Sequence, residues 1–251
     1  MSMSDFIEHY FQHFNAGQLK RMAASLKQHL DDGGKLFITL AGAMSTAGIG
    51  QVLAPLIRKG YVAGISCTGA NLEEDVFRMV ALPHYEQIED WRTLSVEDEK
   101  ALLDKKMNRV TDVCIPEDVA IRAIEKHLMK RWSSASVHQE RHLPHAYFYD
   151  ILRSSDLDAS IEGDKNSSWL LAAAEADLPL FVPGWEDSTT GNIFAARCLE
   201  GTISSDCVLS GIHYMIELAP WYEHQKTSLA FLQIGGGIAG DFPICVVPLL
   251  N

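Results

Sequence analysis

The sequence predicts an α/β fold on a doubly wound, mainly parallel β-sheet, preceded by N-terminal helices. Three observations predict it. Four short apolar runs, at 36–40, 62–67, 178–182 and 228–234, lack the polar alternation of a half-solvated strand. Each leads into a loop of small or polar residues and then a helical pattern, the repeating unit of a parallel sheet covered on both faces. The chain has 251 residues, 47% of them hydrophobic, enough for a large core without disulfide or metal staples.

In chain order, residues 4–14 and 18–29 read as two amphipathic helices, the second stopped by Gly33 and Gly34. The run 36–40 is the first strand. Its loop, 41–48, is rich in small residues and carries Ser45 and Thr46; a helix follows through 52–58, with Gly60 behind it. The second strand is 62–67, its loop 68–71, and Leu72-Glu73-Glu74-Asp75 the first turn of the next helix. The third, 178–182, precedes Pro183-Gly184-Trp185-Glu186-Asp187-Ser188-Thr189-Thr190-Gly191-Asn192 and a helix from Ile193. The fourth, 228–234, precedes Gly235-Gly236-Gly237 and a helix from about Gly240. Residues 81–166 read as mostly helical, with Pro116-Glu117-Asp118 starting a helix through Trp132. This stretch is a long crossover or a helical cap, with room for strands that the pattern does not reveal.

Thirty-three acids against 21 Lys and Arg give a net charge of −12. Nucleic-acid affinity rests on basic side chains, so DNA and RNA are not expected partners. The same excess attracts a cationic substrate. No apolar stretch is long enough for a membrane span, and the first residues carry acids and His rather than a basic flank. Cys67, Cys114, Cys198, Cys207 and Cys245 are odd in number and widely spaced, which points to a reduced, cytoplasmic setting.

Ligands of an open parallel sheet bind beyond the carboxyl ends of its strands, where helix N-termini offer free N–H groups. The polar content there is Ser45 and Thr46; Thr68, Asn71, Glu73 and Glu74; Glu186, Asp187, Ser188, Thr189, Thr190 and Asn192; and Asp241 beyond the glycine triplet. Five carboxylates in one crevice suit ribose hydroxyls or a polyamine. An acid in a first helical turn also serves simply to complement the helix dipole, and a glycine triplet can be only a tight turn. His9 and His13 have the i, i+4 spacing of a chelating pair but lack a third ligand, so no metal is expected. His142 and His145 flank Pro144 and read as loop residues. Trp185, alone among the tryptophans, sits where it could wall a pocket. Nucleophile-elbow, P-loop, zincin and G-x-G-x-x-G patterns are missing.

Four segments together, Ser66-Cys67-Thr68-Gly69-Ala70-Asn71-Leu72-Glu73-Glu74-Asp75, Asn108-Arg109-Val110-Thr111, Pro183-Gly184-Trp185-Glu186-Asp187-Ser188 and Gly235-Gly236-Gly237, resemble the deoxyhypusine synthase family. The likeness runs in order from about Leu36 to the last residue and is closest to the bacterial deoxyhypusine-synthase-like branch. It implies a Rossmann-like fold, a homotetramer with sites between subunits, and NAD-dependent transfer of the aminobutyl group of spermidine through an imine on an enzyme lysine. The acceptor is an initiation-factor lysine in eukaryotic members and putrescine in related homospermidine synthases; putrescine is the expectation here. The resemblance implies that Gly42, Ser45, Thr46, Thr68, Gly69, Ala70, Glu74, Asp187 and Gly236 line the NAD site. It places Glu73, Glu74, Asn192 and Asp241 around spermidine. Residues 1–34 are then a helical extension and 35–251 the NAD- and spermidine-binding domain.

The departures are specific. The family's Ser-Asn opening the first loop is Gly42-Ala43 here, an acid of the family is Asn192, and the His after the glycine triplet is replaced by Asp241. The Trp-Gly-Lys motif that supplies the imine lysine has no counterpart, and Lys226, the nearest upstream lysine, precedes the fourth strand. A fragment of a longer enzyme is the expectation; the alternative is a non-catalytic binding or assembly subunit.

Overall fold

Residues 1–250 are described by a computed structural model. Helices α1 (Met3–Tyr10) and α2 (Phe14–Asp31) open the chain. The pattern predicts a first helix to residue 14, but it ends at Tyr10, and Phe14 takes φ +52° at the break. The chain continues as β1 (Lys35–Leu40), α3 (Gly50–Arg58), β2 (Val62–Cys67), α4 (Gly69–Ala81), β3 (Glu86–Gln87), α5 (Val96–Asp104), β4 (Met107–Val110) and β5 (Val113–Pro116). A π-turn, Glu117–Arg122, runs into α6 (Ala123–His138), followed by α7 (Pro144–Arg153), α8 (Trp169–Glu175), β6 (Leu180–Phe181), α9 (Thr189–Leu199), α10 (Gly211–Glu223), β7 (Leu229–Ile234) and α11 (Ile238–Val246).

The main sheet has the order β6-β2-β1-β7, with every pairing parallel. Leu36 to Leu40 of β1 are all buried. Successive strand residues face opposite sides, so both faces of the sheet are covered, as the unbroken apolar run predicts. Phe37 anchors one face among the rings of Phe181, Trp221, Tyr222 and Phe231. β7 is an edge strand on which Phe231 stays half exposed. No helix among the described residues is long and apolar enough to cross a membrane.

The segment 81–166 holds what pattern reading leaves open: a small antiparallel sheet of order β3-β5-β4. Its main hairpin turns at Thr111-Asp112, with Thr111 at φ +56°, a conformation usually announced by glycine. His145 lies in the first turn of α7 rather than in a loop. Pro144 sits at the helix start, where its missing N–H costs nothing, and His145 Nδ1 meets Tyr214 Oη at 2.9 Å. Trp185 is core, packed on Trp132 and Phe194.

Helices begin earlier than their apolar periodicity. α4 starts at Gly69, capped by Thr68, whose Oγ1 accepts from Asn71 N; α9 starts at Thr189, capped in the same way by Ser188; α11 starts at Ile238. Glu73, Glu74 and Asp75 therefore stand in the second turn of α4, beyond the reach of that helix's own free N–H groups.

Candidate functional site

Parallel strands end on the same side, so the loops after β1, β2, β6 and β7 share one edge of the sheet. Asn71 knits the first two together. Its Nδ2 donates to the carbonyls of Leu40, Ala41 and Gly42, and its Oδ1 accepts from Ser45 N at 2.9 Å. Thr68 Oγ1 donates to Gly42 O at 2.7 Å. Ser45 Oγ donates to Asn71 O at 2.8 Å and accepts from Trp169 Nε1 at 2.9 Å. The hydroxyls of Ser45 and Thr68 are thus engaged within the protein, shaping the loops from beneath.

The second and third loops touch at Gly69. A Cβ there would stand 2.8 Å from Ser188 Cβ and 3.0 Å from Trp185 O. Gly69→Ala is expected to cost about 1–3 kcal/mol in urea unfolding, because the backbone of the third loop must shift to admit the methyl group. By contrast, Gly42, Gly236 and Gly237 have no atom within 4 Å of a Cβ position, so the first and fourth loops expose bare backbone. Gly184 and Ile238, and Gly235 and Ala41, are close enough that a Cβ on either glycine would crowd its neighbour at 3.0 and 2.9 Å.

The three consecutive acids of α4 point in three directions, since adjacent helical residues never share a face. Glu73 reaches the N-terminus of α9, accepting from Thr189 N at 2.8 Å and Thr190 N at 2.7 Å. Asp75 does the same for α8, accepting from Ser168 Oγ at 2.5 Å and Leu170 N at 3.1 Å. These acids do complement helix dipoles, but those of other helices. Glu74 lies between, accepting from Thr46 Oγ1 at 2.7 Å. Burial pushes its carboxyl up to about 7, with the Thr46 hydrogen bond opposing and the charge of Glu73 adding. Burial also raises Glu73, against the hydrogen bonds from Thr190 and Thr189.

A cleft of about 610 Å³ opens above Glu74. Carboxylates of Glu73, Glu74, Glu117, Glu186 and Asp187 line it, with Ala70, Asn108 and Asn192; Arg122 is its one cation, and no lysine lines it. Thr46 joins through its bond to Glu74. Gly236 and Asp241, both exposed, stand on the fourth loop and α11 and do not line this cleft. The fifth acid of the crevice is instead Glu117, from the π-turn. Its i→i+5 period sets Glu117 and Arg122 on one face, which the usual helical spacing does not suggest. Among the described residues no group of three or more His, Cys, Asp or Glu is placed to hold a metal ion.

A site with buried, partly protonated and free carboxylates side by side suits a multiply charged amine. The family model described as deoxyhypusine synthase matches residues 5–249. The chain is 28% identical over 260 residues to a deoxyhypusine synthase-like protein of Cyanothece sp., covering 100% of this chain and 62% of that one. It is 27% identical to a probable deoxyhypusine synthase 1 of Methanosarcina acetivorans, covering 82% and 58%. The chain thus spans about three fifths of the length of these relatives. Its fold matches the crystal structure of a putative deoxyhypusine synthase from Entamoeba histolytica with a TM-score of 0.59 at 11% identity, over 94% of this chain and 79% of that one.

Proposed function

Since the chain belongs to the deoxyhypusine synthase family, we propose that it serves NAD-dependent transfer of the aminobutyl group of spermidine to a second amine, with putrescine as acceptor. The observation that carries this reading is the carboxylate-lined cleft at the shared strand edge. Glu73 is committed to α9 and Glu117 to Arg122, which leaves Glu74 and Glu186 to face ammonium groups.

The residues fit NAD as well. Bare backbone at Gly42 and Gly236 admits close approach of a pyrophosphate, and the free N–H groups at Gly69 and Ala70 open α4 toward it. Asp187 would hold a ribose, and Ser45, Thr46 and Thr68 would fix the loop beneath. When bound, NAD supplies the hydride acceptor for oxidation of the amine. Within this chain, Glu74 would orient the amine end nearest the sheet, with Glu73 holding the start of α9 beside it, Glu74 being poised to exchange a proton near neutrality. Asn192 would stand toward the other end; Asp241 lies outside this cleft. We further propose a homotetramer in the cytoplasm, with the exposed Phe231, Ile238 and Ile244 near the fourth loop offering apolar surface to a neighbouring subunit.

One observation favours a second reading: with no lysine lining the cleft, the chain would be a non-catalytic NAD- and polyamine-binding or assembly subunit. Incubating the full chain with NAD, putrescine and spermidine labelled in its aminobutyl part separates the two. Transfer predicts label in the condensed triamine and release of free 1,3-diaminopropane. Spermidine binding without either product supports the second reading, label on an added protein lysine changes the acceptor, and absence of both binding and products overturns both readings.

A further inference from the structure

We propose that Glu125, buried outside the cleft lining, is a positioning residue that holds the Arg122 guanidinium at the cleft wall and away from the amine-binding carboxylates, so that without Glu125 the guanidinium acts as an internal competitor of the cationic substrate. This rests on the reading of the cleft as an amine site.

Arg122 is the single cation among the lining residues, and its side chain is 47% exposed. A guanidinium on a long stem beside several carboxylates is chemically a tethered version of an amine ligand. Two contacts restrain it. Nε and Nη2 donate to Glu117 Oε1 at 2.8 and 2.6 Å, and Nη1 donates to Glu125 Oε2 at 2.7 Å. Glu117 itself lines the cleft, so of the two partners only Glu125 pulls from outside it.

Glu125 is anchored for this task. It is 6% exposed, and its second oxygen accepts from Arg197 Nε on α9 at 3.0 Å. Arg197 is held in turn by Glu200 at 2.8 Å. Burial works against the Glu125 carboxylate, but Arg122 and Arg197 prevail and hold its carboxyl below the ordinary range. The charge therefore persists at neutral pH, and the bridge ties the π-turn to α9, two walls of the same cleft. A purely structural bridge would make the same contacts. The two roles differ in one consequence: removing Arg122 repairs the loss of Glu125 only if Arg122 is the cause of the damage.

The test is spermidine binding by calorimetry to the full chain, with thermal melting by circular dichroism to verify folding. Glu125→Gln keeps the side-chain volume and an acceptor for Arg197. It is expected to weaken spermidine about tenfold, while Arg122→Gln tightens it about threefold and the double variant returns to within about threefold of the wild type. A double variant as weak as Glu125→Gln, or a Glu125→Gln variant within about twofold of the wild type, overturns the proposal and leaves the amine cleft intact. Absence of spermidine binding in the wild type and all variants removes the amine reading and this proposal with it.

Discussion

Replacing Glu74 with Gln is expected to stabilise the fold at pH 8 by about 2 kcal/mol and to weaken spermidine binding by tenfold or more. The two effects share one cause. Burial holds the Glu74 carboxyl at about 7, against 4.5 for an ordinary Glu, so the folded state binds this proton more tightly than the unfolded chain. The sign follows from linkage. The stability conferred by the bound proton is complete below pH 4.5 and is lost as pH rises through 7, where ionisation must occur inside the protein. Gln removes that penalty and still accepts from Thr46. Urea unfolding at two pH values reads the effect: a gain of about 2 kcal/mol at pH 8 that falls below about 1 kcal/mol at pH 5. Destabilisation at pH 8 would mean that the ionised carboxylate supports the fold. The charge costs stability, and the proposed amine ligand would account for its presence, the usual trade between stability and function.

Asp75→Ala is expected to destabilise the protein by about 3 kcal/mol or more, the largest single effect predicted here. The alanine leaves Ser168 Oγ, Leu170 N and Trp169 N without their acceptor in a region closed to water, and frays the start of α8. Trp169 is fully buried, so no solvent replaces the lost bonds. Asp75→Asn keeps one acceptor oxygen and is expected to cost about 1 kcal/mol. Burial also raises the Asp75 carboxyl to about 6, with the hydrogen bonds from Ser168 and Leu170 opposing. Its contribution to stability therefore declines as pH rises from 3.8 to 6, and Asp75→Asn loses least near pH 7. Chemical denaturation of both variants at pH 5 and 7 checks the ranking; equal losses for Ala and Asn would place the cost in packing rather than in the capped helix.

The parallel sheet is legible because β1 and β2 are buried on both faces, which writes a continuous apolar run into the sequence. Even the edge strand β7 carries such a run. β4 and β5 are not legible: four residues each, with Arg109 paired to Glu99 and a turn without glycine, they present no periodicity to detect. Helix starts are displaced because Thr68 and Ser188 fix them through hydroxyl caps a turn before apolar spacing begins. Strand order divides the candidate site. β1 stands between β2 and β7, so Glu73 and Glu74 meet the loop after β6 while Gly236 and Asp241 lie toward the other edge. Glu117 and Arg122 escape a reading based on 3.6-residue spacing because a π-turn brings them together.

Calorimetric titration of spermidine into the full chain at pH 6 and pH 8 tests the central claim, that Glu74 anchors an amine in this cleft. Spermidine stays cationic across the interval, while the ionised fraction of a carboxyl at about 7 rises about tenfold. The prediction is affinity about tenfold tighter at pH 8, with the difference abolished in Glu74→Gln. Binding of equal strength at both values, or a pH dependence that survives Glu74→Gln, would contradict it.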